Sequence, residues 1–243
     1  MSKYRKIWEL FTGIVLIGAL IISGVYAGRQ YQQTLSENIT VRIEDHAFAS
    51  LINQDDVTLT LQTSAACCEG LTRREINTAL LEESLNNHPL IAQSEVFSSL
   101  KGGLYVAAKV KTPLARVFEK EKSYYLDENG AAMPLSHRFS APVVIVTGKF
   151  ETWQRNHVVA LIKTLQGDGF FEKRISGLHF TDEGICYLYP TSDAFTILLG
   201  DEQETAERLF NLKAFWTHAL DAEKAKKLKT IDLRYNRQVI CQY

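Results

Sequence analysis

From Leu10 to Ala27 no position carries a charge, and apolar side chains recur around the whole circumference of a helix drawn through them. A helix needs about 20 mostly apolar residues to cross a bilayer, and one without a polar face has nothing to offer water. The run exceeds the roughly 7–15 apolar residues of a secretory leader. It therefore reads as a retained anchor, although Val25-Tyr26-Ala27 has the small-residue look of a cleavage site. Trp8 and Tyr26 stand at its two ends, where amphipathic rings favour the headgroup layer. The tail, residues 1–9, sets Lys3, Arg5 and Lys6 against Glu9 and stays in the cytoplasm by the positive-inside bias. Residues 10–27 are expected to be a single transmembrane helix and 28–37 a linker, with the rest of the chain exported.

Beyond the linker the period changes. Ile39 to Ile43 alternates apolar and polar, as a half-buried strand does. Asn53, followed by Asp55 and Asp56, has the form of a helix start. The β-branched Val57 to Leu61 stretch suits a strand as well, but the start signal predicts a short helix. Thr72-Arg73-Arg74-Glu75 forms a capping box. Ile76 with Leu80, and Leu81 with Leu85, give helical spacing behind it, so Leu80→Asp is expected to unfold the module. Pro89 ends that helix. Val96, Ser98 and Leu100 then alternate on one arm of a hairpin and Leu104, Val106, Ala108 and Val110 on the other, with Lys101-Gly102-Gly103 as the turn. The order is strand, helix, helix, strand, strand, and residues 38–112 form the first exported domain up to a seam at Thr112-Pro113.

Residues 113–243 read as a second, mixed α/β domain with a largely antiparallel sheet. Strands are predicted at Leu114–Phe118, Ser123–Leu126, Val143–Val146, Ile175–Phe180, Ile185–Tyr189 and Phe195–Leu199, with a turn at Asp127-Glu128-Asn129-Gly130. Trp153 to Leu165 marks one helix. Leu209, Leu212, Phe215, Trp216 and Leu220 stripe a second, long one. Ile231 to Tyr235 and Gln238 to Gln242 close the chain. The last strand is more apolar than a free edge usually is. It is either an interior strand or an exposed edge unblocked by charge or proline after Arg237.

Composition narrows the function. Hydrophobic residues at 46% and aromatics at 10% indicate packed cores. A net charge of -1 offers no basic stripe for nucleic acid. Four cysteines are too few for a disulfide scaffold, and neighbouring Cys67 and Cys68 do not suit a mutual bridge. Cys186 and Cys241 either pair or serve as small buried hydrophobes. No spacing suggests a zinc site, a cofactor loop or a catalytic triad. Ser98-Ser99-Leu100-Lys101 matches the Ser-x-x-Lys of penicillin-binding enzymes, but it runs along a strand without its partner motifs. No catalytic, cofactor-binding or metal-binding residue and no small-molecule substrate is expected. The competing class is a signal-anchored exported enzyme whose site is assembled from residues distant in sequence. A cleft with convergent titratable groups would mark it, as an open sheet edge would mark a binding protein.

Several segments together resemble the FtsQ/DivIB family of bacterial division proteins. His88-Pro89-Leu90-Ile91 is similar to the family's Asn-Pro stretch, with His in the first place. Thr112-Pro113-Leu114-Ala115-Arg116-Val117, Tyr124-Tyr125-Leu126-Asp127-Glu128-Asn129-Gly130 and Val146-Thr147-Gly148 resemble further family segments. So do Leu198-Leu199-Gly200 and Ile231-Asp232-Leu233-Arg234-Tyr235. The resemblance implies a POTRA-like first domain and a non-enzymatic divisome scaffold in the bacterial inner membrane. Its bulk would be periplasmic, at the division septum. It implies FtsB/FtsL-type coiled-coil membrane proteins as partners, control of septal peptidoglycan synthesis, and a partner-binding edge at Tyr235, Asn236, Arg237, Val239 and Ile240.

Overall fold

The computed structural model describes residues 2–32, 39–44, 47–64, 76–98, 103–119, 122–149, 155–201, 203–235 and 237–243. Cys67, Cys68, the capping box at Thr72, residues 99–102 of the Ser-x-x-Lys match and hairpin turn, Trp153 and Asn236 lie outside them. The chain divides into two compact units, residues 1–110 and 111–243.

The first unit opens with helix α1, Ser2–Gln32. Among the described residues no helix is long and apolar enough to cross a membrane. The contiguous described side chains of α1, residues 13–28, cover only part of the expected span, and its large apolar side chains there are exposed. Strand β1 (Ile39–Ile43), a 3₁₀ turn (Ala49–Leu51), helices α2 (Gln54–Thr63) and α3 (Thr78–Asn86), and strands β2 (Ile91–Ser98) and β3 (Leu104–Val110) follow. Local chemistry decides the α2 segment. The Asn53 side chain accepts from Asp56 N–H at 2.7 Å while Asp56 Oδ2 accepts from Asn53 N–H at 3.1 Å. This reciprocal cap, with Val57 and Leu61 buried one turn apart, outweighs the β-branched residues.

The outcome at α3 differs from the expectation. Its described cap is Asn77, whose side chain accepts from Leu80 N–H. The face turned inward carries Leu81 and Leu85, both fully buried, whereas Leu80 is 50% exposed. One residue is about 100° of helix, enough to carry Leu80 to the rim. Leu80→Asp is therefore not the unfolding substitution; Leu81 and Leu85 hold the helix down. The sheet order is β1-β3-β2, with β1 parallel and β2 antiparallel to β3. Leu104, Val106, Ala108 and Val110 are buried, as their alternation predicts. Glu82 ties α3 to the sheet by accepting the Val96 N–H at 2.8 Å.

The second unit contains β4 (Pro113–Glu119), β5 (Lys122–Asp127), β6 (Ala132–Met133), β7 (Val144–Gly148), α4 (Arg155–Gly167), β8 (Ile175–Phe180), β9 (Cys186–Pro190) and β10 (Thr196–Gly200). It ends with α5 (Thr205–His218), α6 (Ala222–Lys227), β11 (Thr230–Asp232) and β12 (Ile240–Gln242). The sheet order is β12-β11-β10-β9-β8-β7-β4-β5-β6. Among the described residues five of its pairings are antiparallel and three parallel. The sheet is thus more mixed than expected. Two of the parallel contacts, β7–β8 and β10–β11, flank helical connections, since parallel neighbours need a crossover.

The Asp127 turn forms as predicted: Asp127 Oδ1 accepts from Asn129 and Ala131 N–H, and Gly130 has φ +77°. The expected single long helix is two. It stops at His218, and Asp221 opens α6 by accepting Lys224 N–H at 2.8 Å. Leu220 lies between them, where an aspartate cap breaks the helical run. Val158, Ile162 and Leu165 of α4 and Leu209 and Leu212 of α5 bury one sheet face against Val117, Val146, Leu178, Leu188, Ile197 and Ile231.

Candidate functional site

The opposite sheet face and the β12 edge expose several large apolar side chains of the second unit. Register carries one continuous row across the strands: Phe118, Thr147, His179, Tyr187, Leu198, Asp232 and Ile240. Thr147 Oγ1 lies 2.9 Å from His179 Nδ1. Phe118, Ile145, Tyr189 and Ile240 are exposed on this face.

Strand β12 is the outermost strand, pairing Thr230↔Gln242, Ile231↔Cys241 and Asp232↔Ile240. Its hydrogen-bond parity follows from the strand beneath. Thr196 N–H donates to Lys229 O and Leu233 N–H donates to Leu198 O. Ile231 of β11 thus turns its backbone groups to β10, while Lys229, just before the strand, gives its N–H to Gln242 O. Thr230 and Asp232 turn theirs to β12, where they meet Gln242 and Ile240. Cys241, set between these two pairs, points its N–H and C=O away from β11. This outward row is what an added strand would use.

Arg234 braces the turn that delivers β12, and Arg208 braces the connection from β10 to α5. Arg234 donates through Nε and Nη2 to the buried Asp232 carboxylate, at 3.1 Å to Oδ1 and 2.8 Å to Oδ2. Arg208 of α5 donates through Nη1 to Asp201 Oδ1 at 2.8 Å and to Leu199 O at 3.1 Å. Both arginines lie against Gly200, which has φ +96°. A Cβ there would stand 2.8 Å from Arg208 Nη1 and 2.9 Å from Arg234 Cγ. Burial raises the Asp232 pKa, but the bonds from Arg234 outweigh it and hold the carboxyl below its ordinary value.

Of the residues singled out from sequence, Tyr235 is 51% and Ile240 36% exposed, and Val239 packs against the core. Arg237 sits at φ +56° with an exposed side chain, its Nε 3.8 Å from Glu207 Oε1. The strand begins at Ile240 rather than Gln238, because Gln238 N–H is taken by Tyr235 O in the turn. Gly200, Arg208, Asp232 and Arg234 were not expected as site residues. The same-face i, i+2 spacing of Asp232 and Arg234 was the available signal.

Cys186 and Cys241 are free thiols. They stand on strands separated by β10 and β11, about 14 Å of sheet, and a disulfide bridges at most about 7 Å between Cα atoms. A cavity of about 260 Å³ lies between α4 and α5, lined by His157, Leu161, Phe180, Cys186, Leu199 and Asp201 among others. Burial pushes the Cys186 thiol up to about 12, and Asp201 is engaged by Arg208, so neither is poised as nucleophile or base. Among the described residues no group of His, Cys, Asp and Glu is placed to hold a metal ion.

The model of a family described as "FtsQ/DivIB, C-terminal related" matches residues 112–242, and that of the POTRA-like domain matches residues 34–109. Cell division protein FtsQ of Salinibacter ruber is 22% identical over 196 residues, which span 74% of this chain and 75% of that protein. The solved extracytoplasmic domain of the cell division protein DivIB from Geobacillus stearothermophilus, in its trans isomer, is similar with a TM-score of 0.32. It is 13% identical and covers 46% of this chain and 98% of that one.

Proposed function

Since the chain belongs to the FtsQ/DivIB family of cell-division proteins, we propose that it is a bitopic inner-membrane scaffold of the divisome. Proteins of this family are in general non-enzymatic scaffolds that work through protein–protein contacts. In this reading Leu10–Ala27 is the membrane span, residues 38–112 are the POTRA-like module and residues 113–243 are the partner-binding domain, both in the periplasm at the septum. The partners are small coiled-coil membrane proteins of the FtsB/FtsL type, through which the scaffold helps control septal peptidoglycan synthesis. Capture occurs by β-augmentation: a partner strand adds to β12, with Tyr235, Asn236, Arg237, Val239 and Ile240 flanking it to supply selectivity.

The observation that carries this reading is the outermost position of β12 with the Cys241 backbone turned outward. Main-chain groups so placed form a template for another chain unless something blocks them.

Proline scanning of the full-length protein tests it. Cys241→Pro removes an outward N–H that the fold does not use, and an edge strand tolerates such a change. It is expected to abolish co-purification of an FtsB-type partner while leaving the melting temperature near that of the parent. Ile240→Pro removes the bond to Asp232 and is expected to lower stability as well. Normal partner capture by a folded Cys241→Pro protein would refute the edge reading.

A further inference from the structure

The POTRA-like sheet carries an exposed aromatic pair that the edge reading does not use. Phe97 on β2 and Tyr105 on β3 are cross-strand partners. Their rings stack at 5.6 Å with an interplanar angle of 6°, and they are 54% and 41% exposed. Resting on the anchoring reading above, we propose that this pair docks on the headgroup layer of the bilayer that holds α1.

Topology supplies the argument. Strand β1 runs parallel to β3, with Ile39 opposite Leu104 and Thr40 opposite Tyr105. The end of the sheet at which the chain arrives from α1 is therefore the end that carries Phe97 and Tyr105. Residues 33–38 separate Gln32 from Ile39, a tether that reaches about 25 Å at full extension. The aromatic pair sits one and two strand spacings from Thr40, about 5 and 10 Å. Chemistry agrees with the placement. The row Thr40, Tyr105, Phe97 holds no charge, and among the described residues the nearest charged side chains on that face of the sheet, Arg42 and Glu95, lie one row farther from the tether. Aromatic side chains favour the membrane–water interface. Two rings bind a bilayer weakly on their own, but a short tether makes the contact intramolecular and raises its effective concentration.

The test uses the full chain in vesicles of phosphatidylethanolamine and phosphatidylglycerol. The photo-crosslinker p-benzoylphenylalanine is placed at position 97 or, as a control, at position 210 on α5, where Phe210 is 72% exposed. Flotation of the protein with the vesicles checks the anchor. After irradiation, mass spectrometry is expected to find severalfold more lipid adduct at 97 than at 210. Equal yields at the two positions in protein that floats would overturn the docking inference alone. So would adducts at 97 that run mainly to another protein chain in native membranes. Protein that fails to float would overturn the anchor, and the docking with it.

Discussion

Gly148 and Gly200 show how single backbone positions shape the second unit. Gly148 closes β7 at φ +101°, and any Cβ there would collide with the Phe180 carbonyl of the neighbouring strand. Gly148→Ala is expected to cost at least about 2 kcal/mol in urea unfolding. The same change at Gly200 should cost less, because the atoms it meets belong to two arginine side chains that can shift. Charge adds a pH dependence. Asp168 is held below its ordinary pKa by the Lys213 ammonium and Asp201 by the Arg208 guanidinium. At Asp232 burial works the other way, but the bonds from Arg234 prevail. Folded values below the unfolded ones mean that the stabilisation is present above about pH 4 and is lost as pH falls through the depressed values. The melting temperature should hold steady near neutrality and drop below about pH 4. The glycine-plus-arginine cluster could not be read from the chain, because its members meet only once β10, α5 and the β11–β12 turn are in place.

Helix α3 and strand β12 show what periodicity resolves and where it stops. Alternation located β3, whose inward residues are those predicted, whereas in β2 Val96 is buried as predicted, Ser98 is half-buried, and the buried Ile91 and Ser94 were not anticipated. A helix of two and a half turns gives a weaker signal: of the two apolar pairs read from it, Leu81 and Leu85 are buried and Leu80 is exposed. Leu81→Ala should therefore cost about 2–5 kcal/mol, whereas Leu80→Ala stays within about 0.5. Chemical denaturation of the two variants side by side checks the assignment. At the chain's end the apolar pattern marked a strand but could not say that Tyr235 O would take the Gln238 N–H and delay it by two residues. The α5–α6 break was likewise hidden by a continuing apolar stripe, and it is Asp221 that caps α6.

Strand order is the property least accessible from the sequence, since local period says nothing of which strand lies beside which. Segments predicted in simple succession are rearranged so that β4 pairs with β7, and a helix pair separates β10 from its neighbour β11. The two-unit division, by contrast, falls close to the Thr112-Pro113 seam. The same strand order gives the large sheet two unlike ends. One is β12, with the Cys241 backbone turned outward; the other is β6, two residues long, with Met133 buried. A sheet that grew from both ends would string its subunits into an open polymer. With one serviceable end, a chain that captures a partner strand as proposed would take up one, and growth would stop there. Analytical ultracentrifugation of the full chain with an excess of partner should show binding that saturates at a single partner strand per chain, with no larger species at higher concentration.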